Sequence, residues 1–481
     1  MEGSCFQVIF GKYASKLIFL WTLLLLGGCS GFREFALKHE QQVYEIFENQ
    51  QVTDIEPLKS PLLSEVSEKE SYDHALDLYE LLDRAFSHNP LTKIAWHQAT
   101  LVSAQKTKVD SAFYPHVSAN LTVVRAEQTG SMSSDGKHLT SQISNVLSPQ
   151  IEINYSLFKF GAHKELSQSA LSALKAANFQ FSQALQDVAY AVESAYFALD
   201  SAQAIVRANE QNLEDAKVAL DVAKNRHQSG LTNKQDLLKA QAAYSAAVFD
   251  LENSRSSVEV ARAQLAQAMG IQVHDHLRIV ASNEKAIPDM DNMEQLIGEA
   301  LRKRYDMQAE RETLEAKKHQ LNAKNYDCYP EVFTRLSASR KKIENIGGMY
   351  NNFEAAIGLK WDIFDGHLKA SEQLMAYEEM KIAHQRLNLK ELDIRSQVWK
   401  YFYTLKSAIH KLDAAKEAEN FALEAFNYTK EAYANGLSSF TDLSTSQNAL
   451  SSARKQFVGA KNDLAMGWVQ LAYVTGKILE K

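Results

Sequence analysis

AHKELSQSALSALKAANFQFSQALQDVAYAVESAYFALDSAQAIVRANEQNLEDAKVALDVAKNRHQS, from Ala162 to Ser229, contains neither glycine nor proline and runs directly into Gly230-Leu231. A second such stretch, His367 to Asn435, runs into Gly436-Leu437. They are 68 and 69 residues long in a chain of 481 that has 19 glycines and 7 prolines to place, so the helix breakers are kept out of both. At about 1.5 Å per residue each predicts a helix roughly 100 Å long, far beyond ordinary globular helices.

Inside the first stretch Val188, Val192, Ala195, Leu199, Ala202, Val206, Leu213, Ala216, Leu220 and Ala223 step by fours and threes, with Asn209 the one polar member. A period of 3.5 is the seam of a coiled coil. Adding 206 to those positions gives Ile394, Val398, Tyr401, Leu405, Ala408, Leu412, Ala415, Glu419, Ala422, Phe426 and Thr429, the same seam with two polar members.

The duplication extends over most of the chain. Phe113-Tyr114-Pro115 answers to Cys328-Tyr329-Pro330 at an offset of 215, whereas Leu157, Gly161, Gly230, Asp236 and Gly270 answer to Ile363, Gly366, Gly436, Asp442 and Gly476 at 205 or 206. One insertion in the first half accounts for the step, and the polar stretch Gln128 to Ser148 is its place. Each half reads as helix, strand, strand, very long helix, tight glycine turn and shorter helix. Pro115, Pro149 and Pro330 are expected at strand starts, Pro90 near a helix start, and Pro57, Pro61 and Pro288 in linkers. The predicted organisation is a signal peptide over 1–28, an N-terminal tether over 29–71, a first repeat over 72–270, a linker over 271–290, a second repeat over 291–476 and a tail over 477–481.

A net charge of −7, with one isolated basic run at Arg340-Lys341-Lys342, gives a nucleic-acid partner little electrostatic support. The N-terminus carries Lys12 and Lys16 ahead of an apolar run from Leu17 to Leu26 that ends in Leu26-Gly27-Gly28-Cys29. That run is too short to span a membrane. Small residues closing it suit a signal peptidase, and the Cys resembles the bacterial lipobox, in which the thiol is acylated and becomes the new N-terminus; the other reading is a simple signal peptide with an incidental Cys. In lipoprotein signals of that kind, Ser30 rather than Asp after the Cys favours the outer membrane. With Cys5 removed and Cys29 acylated, Cys328 is left without a disulfide partner. Residues 30–71 read either as a disordered tether or as an arm laid on the body.

Past the signal peptide no apolar run reaches the roughly 18 residues of a membrane helix, so any further membrane anchor is a β-barrel. Val117, Ala119, Leu121 and Val123 alternate with Ser118, Asn120 and Thr122; Ile151, Ile153, Tyr155 and Leu157 alternate with Glu152, Asn154 and Ser156. Phe353, Ala355, Ile357, Leu359, Trp361 and Ile363 alternate with Glu354, Gly358, Lys360 and Asp362. One apolar and one polar face is the barrel pattern, and equally that of a soluble sheet packed on helices. Four strands placed in lipid leave two edges that lipid cannot hydrogen-bond, so closure there requires more copies of the chain.

The duplicated helix-strand-strand-helix plan resembles the outer membrane efflux protein family, the TolC-like channel-tunnels, and within it the lipidated drug and metal efflux branch. The resemblance covers about Asp73 to Gly476. Its most specific motif is a Gly followed six residues later by Asp and an aliphatic residue, here Gly230 with Asp236-Leu237 and Gly436 with Asp442-Leu443. The resemblance implies a mainly α fold with a small β part: long coiled-coil helices forming a periplasmic α-barrel, and four strands per chain entering a trimeric, twelve-stranded outer-membrane β-barrel. It implies a lipid-anchored export duct of a tripartite efflux or type I secretion system. Its partners would be a periplasmic adaptor and an inner-membrane pump, with Gly230, Leu231, Gly436 and Leu437 turning the tips toward the adaptor. In family members whose entrance is understood, a Tyr and an Arg of the second tip hold an Asp of the first, and rings of Asp narrow the pore. Asp236 and Tyr433 match that Asp and Tyr, and Asp442 matches one ring Asp; Ser438 stands at the Arg position and Thr445 at the second ring position. Three Asp442 carboxylates around one lumen would attract cations and raise each other's pKa. Asp236 and Asp442 also suit capping of the returning helices.

No Walker loop, Cys-x-x-Cys, His-Glu-x-x-His or Gly-x-Ser-x-Gly occurs, so neither an enzyme nor a cofactor is expected. His274-Asp275-His276 reads as solvated linker. The alternative to a channel is a structural coiled-coil envelope lipoprotein without a pore.

Overall fold

The computed structural model describes residues 75–132, 139–273, 277–280, 292–343 and 348–479. The expected signal peptide, Cys29, the 30–71 segment and His274-Asp275-His276 lie outside them. Helices α1 (Leu78–His88) and α2 (Pro90–Asp110) lead into strands β1 (His116–Met132) and β2 (Leu139–Phe158), followed by α3 (Ala162–Gln228) and α4 (Lys234–Met269). The same order then returns as α5 (Met293–Lys303), α6 (Tyr305–Tyr326), β3 (Glu331–Ile343), β4 (Gly348–Lys360), α7 (Leu368–Ala434) and α8 (Phe440–Val474).

The two long helices, α3 and α7, have 67 residues each, as the absence of breakers predicts. On α7 every seam position from Ile394 to Thr429 is buried or half-buried. One helix per half was expected before the strands, and two are found. Asn89 breaks the first, because the proline that follows forces it out of the helical region to ψ 125°. Arg304 breaks the second at ψ 128° with no proline beside it.

The strands form one antiparallel sheet in the order β1-β2-β3-β4. The expected insertion lengthens the first hairpin, to strands of 17 and 20 residues against 13 and 13 in the second. Pro149 accordingly sits inside β2 and not at its start. Its missing N–H leaves a gap in the β2–β3 ladder, whose pairs skip from Leu147–Lys342 to Gln150–Ser339. The fourth strand stops at Lys360, short of the expected Trp361 and Ile363. The residue that would face Trp361 is Pro330, which has no N–H for the ladder, and Trp361 Nε1 donates to the Cys328 carbonyl at 3.2 Å instead.

Contacts group the chain into two units. The first holds the sheet with the helix segments within 99–177 and 310–387. Its helices are tied by polar contacts: Ser167 Oγ donates to Asp110 at 2.6 Å, His319 meets Glu165 at 2.8 Å, and Lys324 pairs with Glu372 at 2.7 Å. Residues paired across the sheet share a face. Val117, Ile153, Leu336 and Ala355 form one apolar row and Ala119, Ile151, Ala338 and Phe353 the next, whereas Ser118, Glu152, Ser337 and Glu354 form a polar row behind. The apolar face is uncovered, with Phe353 81 % exposed.

The second unit holds the helix segments of 75–98, 178–309 and 388–479. Its main core joins Leu81, Val188, Val192, Leu199, Leu265, Met269 and Val469. A separate cluster of Ala219, Ala223, Ala240, Phe426, Tyr433, Phe440 and Leu443 packs the ends of the two long hairpins together.

Candidate functional site: the paired hairpin tips

Both tips are built by the same local chemistry. In the first, the Gly230 N–H donates to the His227 carbonyl at 3.0 Å and the Leu231 N–H to that of Arg226 at 2.8 Å. In the second, Gly436 donates to Tyr433 at 3.1 Å and Leu437 to Ala432 at 2.8 Å. These are Schellman turns, and the glycines take φ values of +74° and +77° that a side chain would strain. The residue after such a glycine commonly packs back on its helix. Here Leu231 and Leu437 stand out, 68 % and 84 % exposed.

The returning helices start at once. Asn233 caps α4 by accepting the Asp236 N–H at 2.9 Å, and Thr232 Oγ1 donates to the Asp236 carboxylate at 2.7 Å. Ser439 caps α8 in a reciprocal box with Asp442. Three donors reach Asp442 Oδ2: the Ser439 hydroxyl at 2.7 Å, the Ser439 N–H at 3.0 Å and the Ser438 hydroxyl at 3.1 Å. Led by the hydroxyl of Ser439, they hold this carboxyl below its ordinary value within the single chain. Asp442 thus completes the cap of α8, whereas α4 is capped by Asn233 with Asp236 in its first turn. Ser438 at the family's Arg position serves Asp442, and Thr445 donates to the Thr441 carbonyl of its own helix at 2.8 Å.

The two tips meet at Tyr433, which is 2 % exposed and lies edge-on to Phe440, with 5.7 Å between ring centroids. Asp236 is close enough for its charge to act on the phenol. Burial first, then that charge, pushes the Tyr433 pKa up against the opposing pull of Arg226. Arg226 is the residue that sequence reasoning passed over. From the last turn of α3 its guanidinium lies 5.0 Å from the centre of the Tyr433 ring and donates to the Tyr433 carbonyl, with the Ala434 carbonyl 3.4 Å away. A cation thus sits on the carbonyl end of α7, where helix geometry leaves acceptors unsatisfied. The available signal was its place one residue before His227, the position that answers to Tyr433 at the 206 offset.

The pattern of the outer membrane efflux protein family matches residues 81–271 and 296–477, more than half of the chain. Among curated proteins, Protein CyaE of Bordetella pertussis (strain Tohama I) is 23 % identical over 388 residues, which cover 80 % of each chain. Among solved structures, the outer-membrane channel OprN superposes with a TM-score of 0.74 at 19 % identity, covering 83 % of this chain and 90 % of its own. The Campylobacter jejuni CmeC outer membrane channel gives 0.73 at 15 % identity, over 89 % and 94 %. The mainly helical fold with its single four-stranded sheet is the one these channels share. The chain belongs to the outer membrane efflux protein family and is an outer-membrane efflux channel component.

Proposed function

We propose that three copies of this chain close into a passive export duct, lipid-anchored through Cys29, with the sheets in the outer membrane and the paired tips facing a periplasmic adaptor and an inner-membrane pump. The observation that carries this reading is the sheet itself. It has one uncovered apolar face, one polar face and two edges, β1 and β4, each paired on one side only. In hydrocarbon such edges must be paired, and adjoining copies supply the pairing. Exposed Leu392, Trp399, Phe421 and Tyr428 on α7 fit burial against neighbouring copies. Conduction through such a duct uses no catalyst; the pump supplies the work. The residues we assign to the entrance are Asp236, Tyr433 and Asp442, with Arg226 added, and the exposed Leu231 and Leu437 are the adaptor contacts.

Detergent-extracted full-length protein is expected to be trimeric and to give discrete single-channel conductance in planar bilayers. A monodisperse monomer without conductance points instead to the envelope-scaffold lipoprotein. Arg226→Ala removes the cationic contact between the tips and is expected to raise the open fraction of single-channel recordings about 30-fold, the low end of one cation–π contact plus one charged hydrogen bond, about 2 kcal/mol together. Arg226→Lys keeps the charge but not the planar fork, and should fall between. Asp442→Ala is expected to weaken block of the open pore by multivalent cations; unchanged block would place that carboxylate outside the lumen.

A further inference from the structure

Arg340-Lys341-Lys342 takes no part in the tips, and its position in the sheet gives it a different use. Side chains alternate along a strand, so Arg340 and Lys342 share the face of Leu336 and Ala338, while Lys341 falls on the other with Ser337 and Ser339. That shared face is the uncovered apolar one. Moving along it toward the hairpin ends, the two all-apolar rows are followed by Leu121 paired with Pro149 and Arg340 paired with Asn351. Next comes the row Val123, Leu147, Lys342 and Met349. On β1 the same face then reaches Arg125, so first β3 and then β1 turn from apolar to cationic.

Spacing fits a lipid leaflet. The apolar column from Leu359 to Phe353 on β4 extends about 20 Å, and Arg340 and Lys342 lie about 7 and 13 Å beyond Ala338 on β3, at about 3.3 Å per residue. Arg125, Arg340, Lys341 and Lys342 are exposed, and among the described residues none is paired with a carboxylate. Arg340 reaches the Met349 sulfur at 2.9 Å, which keeps its guanidinium over the apolar face. At the helix end of the sheet, Lys159, just past β2, pairs with Asp327 at 2.8 Å, and Lys369 beyond β4 pairs with Asp362 at 3.3 Å. On this face the cations that have no carboxylate partner among the described residues thus lie toward the hairpin ends.

We infer that Arg340 and Lys342, joined by Arg125, form a rim that binds the phosphate headgroups of outer-leaflet lipid while the apolar rows below take the acyl chains. The inference rests on the proposed placement of the sheet in the outer membrane. A guanidinium fork and an ammonium are the two side chains suited to phosphate, and the face below them is suited to nothing polar. A basic cluster directly beyond an apolar belt is the arrangement by which membrane proteins hold anionic lipid.

The test titrates delipidated full-length protein in nonionic detergent with lipopolysaccharide and with the same lipid enzymatically dephosphorylated, following retained lipid by native mass spectrometry. Wild type is expected to hold the phosphorylated form about 30-fold more tightly than Arg340→Gln/Lys342→Gln, which corresponds to about 1 kcal/mol for each charge at a membrane surface. Lys341→Gln, on the opposite face, should bind as wild type does. Lys342→Gln alone should lose about fivefold, which keeps the test open if the double variant does not fold. Equal binding of the dephosphorylated lipid, or undiminished binding by the variants, overturns the rim. Displacement of the lipid by millimolar inorganic phosphate overturns the headgroup assignment in favour of a free-anion site. Single-channel conductance measured on the same preparations separates the two readings. A conducting variant with unchanged lipid binding removes the rim alone, whereas a wild type that never conducts removes the channel.

Discussion

Asp306→Ala is expected to destabilise the folded chain by about 3–5 kcal/mol, the cost of leaving a buried charge without its partner. The side chain at risk is Arg304, which is 4 % exposed at the break between α5 and α6. Its guanidinium meets Asp306 twice, with Nε at 3.0 Å and Nη2 at 2.7 Å, and also reaches Gln397 on α7 at 2.8 Å and the Val474 carbonyl of α8 at 3.3 Å. Lys390 lies 3.7 Å from the same carboxylate, so removing Asp306 strands two cations close together. Burial pushes the Asp306 carboxyl up, but the hydrogen bonds and charge of Arg304, aided by Lys390, outweigh it and hold the group below its ordinary 3.8. The sign for pH follows from that direction. Asp306 contributes in full above the unfolded value of about 3.8 and is lost as pH falls through the lower folded value, so its share of the acid sensitivity lies below pH 4. Chemical denaturation of the solubilised protein at pH 7 and pH 3 measures both effects. Arg304→Met/Asp306→Leu, which removes the pair as a whole, should cost less than Asp306→Ala alone. If the double variant is the less stable one, the pair is a net source of stability and the account fails.

Gly270→Ala is the second large effect, at about 3 kcal/mol. Gly270 ends α4 at φ +73°, a conformation that costs a residue with a β-carbon about 1–2 kcal/mol. The new carbon would also stand 2.5 Å from Asn89 Cα and 2.8 Å from Pro90 Cδ. Neither neighbour can move aside. Asn89 is held by its Nδ2 donating to the Ala268 carbonyl at 2.7 Å and its N–H to that of Ala85 at 2.8 Å, and the proline ring is rigid. Overpacking against such neighbours adds about 1–3 kcal/mol. Gly230→Ala is the internal control, since its φ of +74° imposes the same strain but nothing lies within 4 Å of the added carbon. Equal destabilisation of the two variants would remove the steric part of the prediction.

The features readable in advance were those set by neighbours in sequence. A run without breakers becomes a helix of 67 residues, and a glycine at its end becomes the left-handed turn. The seam of α7 is buried or half-buried where its period placed it. The features that were missed depend on residues far apart. Pro149 looked like a strand start because prolines avoid ladders, yet β2 tolerates it by omitting one stretch of pairing. The short helix α5 has no proline to stop it and ends where Arg304 is drawn into contacts with α7 and α8. At the tips the aspartates were visible in the motif, whereas Arg226 was not, because nothing in its own stretch states that Tyr433, 207 positions later, lies beneath it.

By itself the sequence determined element types, the internal duplication, the two tip turns and which face of three of the four strands is apolar, since all follow from periodicity and backbone preference over a few consecutive residues. Only the tertiary structure decided which cation joins the tips, where the second helix breaks, which cations share the apolar face of the sheet, and that Asp442 completes one cap while Asn233 makes the other. Those outcomes depend on distances between segments, and a hydrogen bond or an ion pair forms only when folding has brought its two ends within about 3 Å.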